Sequence, residues 1–317
     1  RIPADNAFDA LKNIPGINVQ NENVNFAGQS LTLIIDGKVN TMSYEQVVER
    51  LKMLPAEQIE KVEFMLSTPA RYHVRGASLN IITKGYKGEK HVSGQIQGDY
   101  IQSKYASGSA KGSFLYVKDK LTIDANYSYT NINAYAEAEH KAQHPLNGEK
   151  SAYYDLTTNR NKGHSHRYRA GFDYQFAENH SLNVAYTGSW TSYKSNNHTT
   201  GNSIAKQSSN GRNYLHNVDL YYNLPFGLEV TAAYTHYEAP KDQLLDGKLN
   251  ETEKNLIASS RQKINKWLVA ADQSHSLQND WGLSYGVKAQ FTNNNSFQTT
   301  QTPDGETLPE ATSSVDI

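Results

Sequence analysis

The chain has no cysteine among its 317 residues, which excludes disulfide frameworks, thiolate metal sites and cysteine nucleophiles. Charge of one sign is also lacking. The 31 Lys+Arg are matched by 32 Asp+Glu, for a formal net charge of -1, so no basic field points to nucleic acid. Long hydrophobic runs are missing, and none approaches the roughly 18 apolar residues of a spanning helix. No basic and apolar leader pattern opens the sequence at "RIPADNAFDA". Tryptophan and methionine are scarce at 3 each, whereas tyrosine is abundant at 21. The low mean hydropathy of -0.70 does not decide against strands that carry apolar residues only at every second position.

What is present falls into two parts. Residues 1–85 read as a small α+β unit. "DNAFDALKNIPGI" sets Ala7, Phe8, Ala10 and Leu11 at helical spacing, with Asp5 as N-cap and Pro15-Gly16 as the stop. "SLTLIIDGKVN" is a strand that turns at Asp36-Gly37. "SYEQVVERLKMLP" carries a capping box, Ser43 and Gln46, and ends before Pro55. "IEKVEFML" reads as a strand, and so does "LNII" at Leu79–Ile82.

From residue 90 the period changes to two. In "HVSGQIQGDY", "LTIDANYSYT", "RYRAGFDYQF", "SLNVAYTGSW" and "GLSYGVKAQF" apolar or small residues alternate with polar ones. A slip of one residue would exchange the faces, so the pattern specifies register. Nine strands are expected, at about 91–101, 107–117, 121–131, 166–176, 181–191, 213–223, 227–237, 266–277 and 282–292. Short turns are expected at residues 118–120, 177–180, 224–227 and 278–280. Long polar loops are expected at 131–165, 191–212 and 238–265. Short turns alternating with long loops, and strands of 9–11 residues, are the rhythm of an antiparallel transmembrane β-barrel. Phe172, Tyr174, Val184, Tyr186 and Val230 are then expected to face lipid. Thr122, Asp124, Arg167, Arg169, Asp173 and Lys288 are expected to face the lumen. Trp190 and Tyr193 at one end, with Phe226 and Trp281 at the other, suit two interfacial girdles.

With these residues in view, the chain resembles the TonB-dependent receptors of Gram-negative outer membranes. The resemblance rests on "ALKNIPGINV", "LTLIIDGKVN", "LKMLPAEQIEKVEF" and "PARYHVRGASLNIITK", in that order, and it resembles the Bacteroidetes-type receptor group more than the starch-utilisation group. It implies a plug domain at 1–85 followed by the N-terminal part of a barrel at 86–317. It also implies a bacterial outer-membrane location, lipid and the TonB energy-transducing complex as partners, and uptake of an extracellular ligand. Siderophore, haem, vitamin, glycan and peptide all stay open. No enzyme activity and no cofactor are implied. Family plugs carry Arg-Gly pairs where this sequence has Phe26-Ala27-Gly28 and Leu66-Ser67-Thr68; Arg71 or Arg75 are the substitutes for that plug-to-barrel latch. Nine strands is odd and short of the ~22 of plugged transporters, so the native product is expected to extend beyond both Arg1 and Ile317. A non-transporting barrel, an adhesin or structural protein, is the alternative.

Competing chemistry is weak. "GYKGEK" lacks the Gly-Lys-Ser/Thr ending of a phosphate loop. No Ser-His-Asp arrangement is placed by spacing. His164 and His166 form a His-x-His pair of the type that binds metal or haem, with a solvated loop end as the preferred reading and no metal assigned. Tyr153-Tyr154 in a long loop is a candidate stacking pair for a sugar or aromatic ligand, with an ordinary exposed loop preferred.

Overall fold

The structure is a computed structural model. It describes the whole chain except residues 1–3, 5, 21–22, 36–43, 45–46, 49–50, 52–55, 57–58, 69–75, 84–89, 147–148, 178, 250–251, 277–281, 310–312 and 317. The turns expected at Asp36-Gly37 and at 278–280, the phosphate-loop-like "GYKGEK", Arg71, Arg75 and Trp281 therefore lie, wholly or mostly, outside the described residues.

The N-terminal unit begins with helix α1 (Ala7–Leu11). Its N-cap is Asn6 rather than Asp5: the Asn6 Oδ1 accepts from the Asp9 backbone N–H at 2.9 Å. Strands β1 (Ile17–Gln20), β2 (Asn23–Phe26) and β3 (Gln29–Ser30) form one small antiparallel sheet. Strands β4 (Thr32–Ile35), β5 (Ile59–Met65) and β6 (Ser78–Thr83) form a second, in the order β4-β6-β5. Of the helix expected at 43–54, Tyr44, Val47, Val48 and Leu51 are described, all helical. Their i, i+3, i+4, i+7 spacing is one helix face, and Val47, Val48 and Leu51 are buried with Phe8, Leu11, Leu33, Leu79 and Ile81 in a single apolar cluster.

The rest of the chain is one ten-stranded antiparallel sheet in which every strand pairs with its sequence neighbour. Its strands are β7 (Lys90–Gln102), β8 (Ala106–Lys118), β9 (Leu121–Leu146), β10 (Glu149–Ala177), β11 (His180–Gly201), β12 (Ile204–Asn223), β13 (Leu228–Leu249), β14 (Thr252–Ser276), β15 (Gly282–Gln301) and β16 (Ser313–Asp316). The tight turns after β8, β10 and β12 fall at the expected places. Asp119 (φ 50°) and Asn179 (φ 57°) take the left-handed conformation there, which Asn and Asp tolerate better than other side chains.

The long connections differ from expectation. The described residues of 131–165, 191–212 and 238–265, apart from the turn at Asn202-Ser203, are not loops but continuations of the strands on either side, so that β9 and β10 remain in register from Tyr174↔Leu121 to Glu149↔Leu146. Their high Asn, Ser, Thr and Lys content puts polar residues on both faces among scattered apolar ones such as Leu156, Leu244 and Ile257, which weakens the alternation signal without removing the ability to pair. The C-terminal stretch, expected to open another loop, instead folds back: β16 pairs with β15 at Asn295↔Asp316. The sheet therefore has ten strands, not nine.

Register sorts the side chains. One row across nine strands reads Val92, Tyr116, Ile123, Phe172, Val184, Leu220, Ala232, Val269, Ala289. A row on the opposite face reads Gln95, Ser113, Asn126, Arg169, Thr187, Asn217, Thr235, Lys266, Thr292. The apolar face is the exposed one. Ile96 is 91% exposed, Val287 70% and Phe291 69%, whereas Asp124 and Arg169 on the polar face are 3% and 4% exposed. The polar face also meets the N-terminal unit, because Leu115 and Val117 of β8, which break its polarity, belong to that unit's buried cluster.

If the apolar face lies against lipid, Val184→Arg costs roughly 2–4 kcal/mol near the bilayer midplane. A spin label at Val184 in folded, lipid-reconstituted protein is expected to be accessible to oxygen and shielded from aqueous quenchers; full access to the aqueous quencher contradicts the assignment.

Candidate functional site

On the polar face, the mid-sheet carries a buried ion pair. The Arg169 Nε–H donates to the Asp124 Oδ2 at 3.0 Å, with side chains 2% and 4% exposed. The partners sit two residues apart in register, since Asp124 opposes Gly171 and Asn126 opposes Arg169. A Cβ at Gly171 would collide with the Asp124 carboxylate, so glycine is what lets that carboxylate lie flat across β10.

Farther along the same face the strands carry a ladder of neutral hydrogen-bonding groups. Thr157 and Thr199 hydroxyls are 2.9 Å apart, Asn159 donates to Asn197, and the Asn197 Nδ2 donates to the Gln207 Oε1 at 3.2 Å. The Gln243 Nε2 donates to the Ser209 Oγ at 3.2 Å. Asp155 closes this region. Its Oδ1 accepts from the Ser203 backbone N–H at 2.8 Å, and its Oδ2 accepts from the Tyr153 hydroxyl. The Asn202 Oδ1 accepts from the Tyr154 N–H at 2.8 Å. The β11–β12 turn is thus tied to β10. Burial pushes the Asp155 carboxyl up, but the hydrogen bonds from Tyr153, Ser203 and Asn202 outweigh it and hold the group below the usual carboxylate range. Such a surface is suited to hydrogen bonding a polar ligand.

The candidate residues named from the sequence separate. Tyr153 and Tyr154, adjacent in a strand, face opposite sides: Tyr153 is committed to Asp155 and Ser203, and Tyr154 lies under the Lys141 ammonium, 5.4 Å from the ring centroid. No joint stacking platform forms. His164 and His166 are within β10, not at a loop end, and they lie on the apolar face. There His166 stacks on Trp190 (centroids 5.1 Å, 12°) and its Nδ1 is 2.8 Å from the Tyr127 hydroxyl. Among the described residues no group of three or more His, Asp or Glu is placed to hold a metal ion.

The two histidines instead join an aromatic row. It runs through Tyr129, His166, Trp190, Tyr186, His216 and His236 to Tyr234 and Trp267. A second row at the tight-turn end contains Tyr174, Phe176, His180 and Tyr222. Trp190 is thus in a girdle-like row as expected, while Tyr193 is on the polar face, in the space that Gly211 leaves. Two features go unmarked by the alternation in the sequence: the Asp124–Arg169 pairing and a cationic group beyond the first row, Lys162, Lys194 and Arg212. Both depend on cross-strand register through segments that read as loops.

No protein-family model and no curated protein matches the sequence. Among solved structures, similarity extends to the ferric yersiniabactin uptake receptor of Yersinia pestis (9% identity, TM-score 0.40, 99% of this chain and 57% of that one). It extends also to the ferric citrate transporter in its unliganded form (12% identity, TM-score 0.37, 99% and 56%), and to a siderophore receptor of Acinetobacter baumannii (11% identity, TM-score 0.27, 94% and 60%). The chain spans less than two thirds of the length of these proteins.

Removing one partner of the buried pair takes a charge-assisted hydrogen bond from the other. Arg169→Met is expected to cost roughly 3–5 kcal/mol, and the paired change with Asp124→Leu to recover much of it; denaturant unfolding of the three variants measures both. Asp155 gives a pH effect. Its folded-state pKa is depressed, so its stabilisation is complete above the unfolded carboxylate pKa of about 4 and is lost as pH falls through the folded value. Hydrogen exchange at the Ser203 amide is expected to accelerate, relative to the Thr187 amide, only in that acidic window.

Proposed function

We propose that the chain is the plug (1–85) and N-terminal barrel portion (86–317) of a TonB-dependent outer-membrane receptor of the Bacteroidetes type, importing an extracellular ligand with energy delivered by the TonB complex. The observation that carries this reading is the inversion of the ten-stranded sheet: large apolar residues outward and exposed, with Asp124, Asp155, Arg169 and Asp219 inward and buried. In water, a face of this size would forfeit on the order of tens of kcal/mol, at roughly 1.5–3 kcal/mol per large apolar side chain. In a bilayer the same face is the favourable one.

The dimensions support it. Phe176 and His166, in the two aromatic rows, are ten residues apart in β10. At ~3.3 Å per residue and a tilt of about 40° that is roughly 25 Å, the height of a barrel's apolar band. The strand segments beyond the His166–Trp190 row are rich in Asn, Ser, Thr and Lys, with apolar residues such as Ile204, Leu244 and Ile257 scattered on the outward face, as suits a wall standing clear of the membrane. The N-terminal unit meets the polar face through Leu115 and Val117, the side on which a plug fills a lumen that would otherwise leak. The Thr, Asn and Gln ladder above it is where a polar ligand would first be held.

An epitope inserted after Asn202 is expected to be labelled on intact cells, and one after Asp119 only once the outer membrane is broken. Ligand captured at the surface should stop entering when the proton motive force is collapsed, while binding persists. Binding without any energised entry would favour an adhesin or structural barrel, and the reverse labelling pattern would overturn the topology.

A further inference from the structure

Immediately beyond the His166–Trp190 row, on the same outward face, the register places two lysines directly opposite each other: Lys162 pairs with Lys194. Like charges at opposed positions in an antiparallel pair repel. Arg212 lies diagonally beside Lys194, because Lys194 opposes Asn210 and Ser192 opposes Arg212. All three cations are exposed. They line one groove of about 730 Å³ that also takes in His164 and Asp242.

The protein does not neutralise this cluster. Asp242, the one carboxylate among the described residues lining the groove, lies two strands from Lys194 through Asn210, roughly 10 Å, and diagonally beside Arg212; it forms no ion pair with Arg212, and its Oδ1 accepts from the Ser259 hydroxyl at 2.8 Å. Glu238 is held by Arg261, whose Nε–H donates at 2.9 Å. Glu137 is 3.8 Å from Lys104. Nearby cations are engaged differently: Arg160 lies over the Tyr105 ring at 3.6 Å, and Lys104 over Tyr135 at 3.7 Å. Lys162, Lys194 and Arg212 make no ion pair with any described residue.

We infer that this groove binds the phosphate groups of a phosphorylated lipid in the outer leaflet. The inference rests on the membrane reading above and adds a specific lipid contact to it. Depth selects a lipid. The cations lie two to four residues beyond His164, Trp190 and Tyr214 along their strands, about 7–13 Å along the strand or 5–10 Å in height at barrel tilt. The polar zone of a leaflet occupies about 5–8 Å above the hydrocarbon. A headgroup phosphate there would sit between Lys162 and Lys194 and within reach of Arg212, while its acyl chains lay along Tyr168, Val184 and Val218 below. Charge-assisted hydrogen bonds to three cations would relieve the lysine repulsion that the fold builds in.

The test uses the full chain in zwitterionic detergent micelles, offered bisphosphorylated lipid A, its dephosphorylated form, or inorganic phosphate, with bound lipid counted by native mass spectrometry. Retention is expected for the bisphosphorylated lipid, at least about tenfold above the dephosphorylated form. The triple variant Lys162→Gln, Lys194→Gln, Arg212→Gln should lose that preference while keeping the wild-type strand signal by circular dichroism. Inorganic phosphate at equal concentration should not displace the lipid. Equal retention by variant and wild type, or displacement by free phosphate, overturns the lipid site while leaving membrane insertion intact. A wild-type chain that folds only outside micelles and lipid overturns both this proposal and the membrane reading.

Discussion

Parity is the constraint on which everything else in the sheet depends. Each strand pairs antiparallel with its sequence neighbour over up to 26 matched positions, so a residue's face is decided by whether its number is odd or even within the strand. A slip of one residue would carry Phe172, Val184 and Leu220 to the side where Arg169 and Asp219 are buried and would exchange the two faces of the sheet. The buried Asp124–Arg169 pair adds a penalty at one point, because its carboxylate fits only over Gly171.

The alternating part of this pattern is legible in the sequence. "RYRAGFDYQF" and "SLNVAYTGSW" display their two faces directly, and the turns at Asp119 and Asn179 carry residues that accept positive φ. The extensions are not legible by the same route. In "SSNGRN" or "KSNNHT" both faces are polar, so period-two hydropathy vanishes although the backbone pairs as elsewhere. A different signal does mark them: Asn147-Gly148, the dipeptide most characteristic of two-residue hairpins, lies between the end of β9 and the start of β10. Counting outward from it pairs Asp124 with Gly171 and places Arg169 two residues on. The histidine pair departs from expectation for a related reason: residue types give chemistry, but only register shows that His164 and His166 lie beside Trp190.

The N-terminal unit is readable from local signals of a different kind. Helical spacing at Val47, Val48 and Leu51 and the apolar strand Leu79–Ile82 identify a core, and the buried cluster shows which side chains meet. What the sequence does not supply is its seat. Leu115 and Val117 look like ordinary members of "SFLYVK" until parity assigns them to the polar face, where two large apolar residues would otherwise be out of place.

The nearest-neighbour strand order has a consequence for assembly. Contacts between β9 and β10 begin a few residues apart at Leu146 and Glu149 and widen one pair at a time, so each hairpin closes a short loop first and later pairs add little further loop-closure entropy. Apart from the crossed order β4-β6-β5 in the N-terminal unit, no described strand waits for a distant segment of the chain. Low contact order of this kind favours zippering hairpin by hairpin, with each completed strand offering its free edge as the template for the next.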